Sequence, residues 1–117
     1  MVRINNTNGQ IVIAKDVFTY LTGDAATICF GVKGMTLRSV TDGLVHLLKT
    51  ESMGKGVRIK YNEDNTISIE LGIAVDRGVN IPVVCDSIID EVRYKVAKGT
   101  GIEVKRIEVF VDTMIIG

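Results

Sequence analysis

Residues Thr66 to Val111 read TISIELGIAVDRGVNIPVVCDSIIDEVRYKVAKGTGIEVKRIEVFV, and three different periodicities follow one another along them. Ile67, Ile69, Leu71, Ile73 and Val75 alternate with Ser68, Glu70, Gly72, Ala74 and Asp76, the period of a strand with one apolar face. Gly78 ends that run, and Asn80-Ile81-Pro82 supplies an N-cap followed by Pro in a first helical turn, where its missing N–H costs nothing. Ile81, Cys85, Ile88, Ile89, Val92 and Val96 then recur at helical spacing, with Gly99 or Gly101 as the stop. A second alternating strand follows through Val104 to Val111, with Ile107, Val109 and Val111 on one face. Val104 is out of phase with Ile107, which predicts a bulge or a later strand start. Acidic residues come early in this helix and basic ones late, as a helix dipole favours.

Upstream, Val57, Ile59 and Tyr61 alternate with Arg58 and Lys60, and Asn62-Glu63-Asp64-Asn65 is turn chemistry, so residues 57–76 form an antiparallel hairpin. Further back, Asn5 to Gly9 is a polar turn leading into a strand over Gln10 to Ala14. Asp16 is the expected cap of a first helix whose buried stripe is Val17, Leu21, Ala25 and Ile28, with Gly31 as its stop. Residues 31–56 hold five of the twelve glycines and form an irregular linker, with Met53 to Gly56 as its connector into the sheet. Within it, Ser39-Val40-Thr41-Asp42 resembles a capping box ahead of Leu44, Val45, Leu47 and Leu48, so a short additional helix is expected over 39–50.

The expected order is β-α-β-β-α-β: an α+β two-layer sandwich with both helices on one face of a mainly antiparallel sheet. With 117 residues, the chain is expected to be one domain over 1–117 with a core of its own. A hydrophobic share of 46%, a charged share of 24% and a mean hydropathy of +0.27 describe a globular chain, not a disordered one. The chain contains no Trp, so Ile, Val and Leu must build the core.

Fourteen basic residues balance fourteen acidic ones, which removes the long-range field that draws a protein to nucleic acid or anionic lipid. No apolar run approaches the roughly 20 residues of a membrane span, and no targeting segment opens the sequence, so a cytoplasmic location is expected, with any membrane association through a partner. Cys29 and Cys85 show no CxxC spacing and lie in apolar stretches, as buried reduced thiols do. His46 is the single histidine, on the expected helix beside Leu47 and Leu48, where a surface role is expected. Gly54-Lys55 lacks the flanking residues of a P-loop, and no G-x-S-x-G elbow occurs. The sequence therefore implies no catalytic residue, no metal and no cofactor. Glu63 and Asp64 fall in a turn and Asp86, Asp90 and Glu91 on a helix, where solvated surface is expected.

Two surfaces stand out. Gly31-Val32-Lys33-Gly34 matches the GXXG loop that clamps nucleic-acid backbones in KH domains, with Lys33 and Arg38 able to meet phosphates; a nucleic-acid-binding module is the alternative reading. Gly72 and Ala74 leave the outer face of the long strand thinly covered, open to a neighbouring element or another subunit. Lys33, Met35, Arg38, Gly72 and Ala74 are accordingly the candidate interaction surface.

Several of these segments also resemble a known family. Ala25-Ala26-Thr27, Cys29-Phe30-Gly31-Val32-Lys33-Gly34-Met35, Asp42-Gly43-Leu44, Gly56-Val57 and Gly101-Ile102-Glu103-Val104 are similar to segments of the alkaline shock protein family, the Gls-type general or envelope stress response proteins of mainly Gram-positive bacteria. Asp76-Arg77-Gly78-Val79-Asn80-Ile81-Pro82 is the most distinctive match, and the similarity covers residues 9–116. At Asp76-Arg77 the family often has an acidic residue and Tyr instead. The resemblance implies a small cytoplasmic non-enzymatic protein of cell-envelope homeostasis. Such a protein self-associates, or is held near the membrane by a partner.

Overall fold

A computed structural model describes residues 1–38, 45–47 and 56–116. Strands β1 (Val2–Asn6) and β2 (Gly9–Ile13) form an antiparallel hairpin. Helix α1 (Lys15–Thr27), strand β3 (Val32–Arg38) and strand β4 (Val45–Leu47) follow. Next come β5 (Val57–Tyr61), β6 (Ile67–Asp76), α2 (Ile81–Thr100) and β7 (Val104–Ile115). The α+β class, the 57–76 hairpin and the strand–helix–strand unit are as the sequence predicts. β1, β3 and β4 are additional to the expected order.

Strand β6 organises the sheet. One of its edges takes β5 and β3 end to end, Ile67 to Leu71 pairing with β5 and Ile73 to Val75 with β3, both antiparallel. The other edge takes β7, which runs parallel to it over its whole length. A parallel neighbour needs a crossover, and α2 is that crossover. β6 alternates as read: Ile67, Ile69, Leu71, Ile73 and Val75 enter one core with Phe18, Ala25 and Ala26 of α1 and Val84, Ile88, Val92 and Val96 of α2. Both helices therefore cover the same sheet face.

The local signals around α2 act as predicted. The Asn80 side chain accepts a hydrogen bond from the Val83 N–H at 3.2 Å, and Gly101 closes the helix at φ 74° with its N–H donating to the Ala97 carbonyl. The buried stripe is Val84, Ile88, Val92 and Val96, with Cys85 and Ile89 at its margin. The out-of-phase Val104 marks a true bulge: Val104 pairs with Ile67 and Arg106 with Ser68, so Lys105 is the extra residue. A second irregularity makes Asp112 extra between Val111 and Thr113.

Other expectations are corrected. α1 begins at Lys15, one residue before the expected cap; the cap position is Ala14, which makes no side-chain bond. Its buried residues are Phe18, Thr19, Thr22, Gly23, Ala25 and Ala26, while Val17 and Ile28 stand 42% and 59% exposed. Close packing selects these small residues. Leu21 meets α2 where a Cβ on Gly99 would come within 3.2 Å of its Cδ1. The polar turn at 5–9 is the tip of a hairpin, since Val2 is in the core and Asn6 pairs with Gly9. The short helix expected over 39–50 is strand β4 at Val45 to Leu47, which includes His46; residues 39–44 and 48–50 lie outside the described residues, as do Met53, Gly54 and Lys55 of the expected connector. Cys29 and Cys85 are free and half-buried.

Candidate functional site

Of the five candidate interaction residues, the fold buries three. Met35 and Ala74 have no exposed surface and Gly72 is buried, so these three do not themselves present atoms to a partner. Gly72 is bare because it is crossed. The Thr36 hydroxyl on β3 donates to the Asp112 carboxylate on β7 at 2.7 Å, and a Cβ on Gly72 would lie 2.6 Å from that hydroxyl and 2.5 Å from the carboxylate oxygen. A missing side chain on the middle strand lets its two neighbours bond over it. From sequence the same absence reads as a gap.

Lys33 is exposed, with its ammonium 3.4 Å from the Asp76 carboxylate. Arg38 ends β3, in register with Val45. The Gly31–Gly34 tetrad is not a clamp loop. Val32 to Gly34 are strand, paired with β6, and Gly31 is the αL turn before it at φ 89°. Gly31 is also a packing contact, because a Cβ there would sit 3.0 Å from Val79 Cγ1 and 3.1 Å from Val84 Cγ2, and its carbonyl accepts from the Asp76 N–H at 2.9 Å. That junction joins the start of β3 to the Gly78-Val79-Asn80 turn. Phe30 projects from it, 91% exposed.

Sequence periodicity did not single out Phe30 or Tyr20, the latter 82% exposed on α1. Helical spacing places Val17, Tyr20, Asp24 and Ile28 on one outward side of α1. The Lys95 ammonium of α2 bridges to Asp24 at 2.6 Å, which holds its proton more tightly than an ordinary lysine does. An exposed aromatic beside an apolar helical run is the signal that would have found this surface.

On the outer sheet face, Arg58, Lys60, Ser68, Glu70, Arg106 and Glu108 line an open groove of about 490 Å³. The Arg106 Nε donates to Glu108 at 2.7 Å. Cations and carboxylates are interleaved there, so the groove presents no single charge to a ligand.

Burial holds both thiols above their ordinary pKa, helped by Glu91 near Cys29 and by Asp86 near Cys85. Each is therefore the protonated, weakly nucleophilic form at neutral pH. Among the described residues no group of three or more His, Cys, Asp or Glu side chains is placed to hold a metal ion, and no helix is long and apolar enough to cross a membrane.

Residues 3–116 match the family model of the alkaline shock protein 23 family, described as having a cell envelope-related function. The chain belongs to this family. Similar family members include the uncharacterized protein YloU of Bacillus subtilis, 30% identical over 112 residues spanning 95% of this chain and 92% of that protein. The uncharacterized protein Spy1614 of Streptococcus pyogenes is 32% identical over 114 residues, 97% of this chain and 93% of its own length. No solved structure matches the chain. The Gly78-Val79-Asn80-Ile81-Pro82 turn lies within the matched residues, and its Val79 packs against Gly31.

Proposed function

We propose that this protein is a non-enzymatic member of the envelope stress response, located in the cytoplasm and acting in cell-envelope homeostasis by self-association or by docking on a membrane-associated protein. The observation that carries the reading is the match of residues 3–116 to a family of cell envelope-related function. Relatives in Bacillus and Streptococcus support a Gram-positive setting. The exposed aromatics Phe30 and Tyr20 support a role through contacts, since large aromatics left in water are over-represented at protein interfaces. Lys33 and Arg38 belong to the contact surface on this reading, with Phe30 as its anchor.

The test is fractionation and cross-linking in cells under envelope stress. The wild-type protein is expected with the envelope fraction, and Phe30→Ser, which removes an exposed ring without touching the core, is expected to reduce that association. Uniform recovery in the soluble fraction, together with an envelope-stress response unchanged by deletion, would overturn the reading.

A further inference from the structure

Helix α2 packs Val84, Ile88, Val92 and Val96 into the domain and leaves its opposite side in water. The charges on that open side are sorted. Asp86 and Asp90 occupy the first half and Arg93 and Lys98 the second, while Glu91 and Lys95 sit at the packed margin, where Lys95 bridges to Asp24 of α1. The helix dipole accounts only for Lys98, in the last turn, because its influence fades within one turn of either end. The first turn of α2 carries no acidic residue, and Asp90, Glu91 and Arg93 lie mid-helix.

Asp86 and Asp90 are four residues apart, a like-charge pair that destabilises a helix. Neither has an ionic partner among the described residues, and the same holds for Arg93. Lys98 lies over the Tyr94 ring, at 5.5 Å from its centre. On the same open side Val83, Ser87, Asp90, Tyr94 and Ala97 follow one another at intervals of four, three, four and three, the spacing of a helix–helix seam. Val83 and Tyr94 are 60% and 58% exposed, and the small Ser87 and Ala97 permit close approach.

We propose that this face of α2 is a two-fold contact between two copies of the chain, the helices antiparallel; the proposal rests on the self-association reading above and names its surface. A two-fold operation is the simplest one that covers such a face. Turning a second α2 end for end lays its basic half over the acidic half of the first and the reverse, so one patch complements itself. Over a helix of 20 residues, about 30 Å long, each uncompensated carboxylate then gains a cation. Tyr94, near the axis, is the aromatic anchor.

The experiment uses the full chain and two charge-reversed variants, Asp86→Lys with Asp90→Lys, and Arg93→Glu with Lys98→Glu. Sedimentation of the wild type at low salt is expected to give twice 12.7 kDa, falling toward 12.7 kDa as salt screens the contact. Each variant alone carries one sign at the four exposed positions 86, 90, 93 and 98 and is expected to stay monomeric, whereas an equimolar mixture of the two is expected to restore a one-to-one pair. Tyr94→Glu, a single exposed change, gives the monomer readout if a double variant fails to fold. Three outcomes would overturn the proposal: a wild type that remains at 12.7 kDa at every concentration, an assembly that the folded variants leave intact, or folded variants that do not recombine. Envelope association is read separately by fractionation, so a monomeric variant that still fractionates with the envelope overturns the role of this contact there and leaves the envelope reading standing.

Discussion

The two helices lie on the same sheet face, yet they are specified in different ways. α2 is capped at both ends, by Asn80 and Gly101, and its buried stripe is branched aliphatic. α1 has no side-chain cap, and apart from Phe18 its buried face is Thr, Gly and Ala. The difference shows that periodicity locates a helix's core face only when the core selects residues for apolarity. Where close approach selects for size, the apolar side chains are free to fall on the exposed side, as Val17 and Ile28 do.

The comparison is broken most directly by truncating one isoleucine of α2 and the one at the C-cap of α1. Ile88→Ala opens a cavity in the core and is expected to cost roughly 2–5 kcal/mol in urea unfolding, while Ile28→Ala, largely exposed, is expected to stay within about 0.5 kcal/mol. Equal losses would show that α1's outward side is covered. Next comes the junction where the chain leaving α1 meets the start of α2. Gly31→Ala forces a side chain into the αL region and against Val79 and Val84, an expected loss of about 1–3 kcal/mol, and a stability unchanged in calorimetry would show that the turn relaxes freely.

The caps give smaller, opposite effects. Asn80→Ala is expected to destabilise by ~1 kcal/mol, and Ala14→Ser, at a position already extended at φ −78° and ψ 158°, to stabilise by up to about 1 kcal/mol. Changes of the same sign in thermal melts would remove the capping difference. Smallest is Thr22→Val. The Thr22 hydroxyl is buried without a hydrogen-bond partner among the described residues, so exchanging it for a methyl is expected to be neutral or slightly stabilising, within about 1 kcal/mol. A clear loss would show that the hydroxyl has a partner, such as a bound water.

Burial sets the chemistry of both thiols in one direction. Cys29 and Cys85 titrate above an ordinary cysteine, so their alkylation at pH 8 is expected to be slower than that of a small free thiol and to accelerate only at higher pH. Equal rates at pH 8, measured by mass spectrometry, would show that burial does not hold the proton.

Legibility followed the same division. The 66–111 unit could be read because turn, cap and stripe agree at every step, including the bulge before Ile107. β3 could not, because Gly31 and Gly34 at its start suggest a linker, whereas one glycine is a packing contact and the other a strand residue beside Ala74. The candidate surface failed at Gly72 and Ala74 for a related reason. A small residue on a strand signals either open space or a close neighbour, and one strand cannot tell which. Lys33 is exposed, as charge alone would suggest, while Met35, two residues along the same strand, is wholly buried.

The sequence by itself determined the elements whose signals are local: the strand–turn–helix–strand run, the Asn80 and Gly101 caps, and the family carried by the Gly78 to Pro82 turn. Only the tertiary structure decided which edge of β6 each strand takes and that β7 runs parallel to it. It also decided that Thr36 and Asp112 close over Gly72, and that α1 turns Tyr20 and Ile28 to the solvent. These depend on contacts between residues as far apart as Thr36 and Asp112, and spacing along the chain carries no record of a neighbour met only on folding.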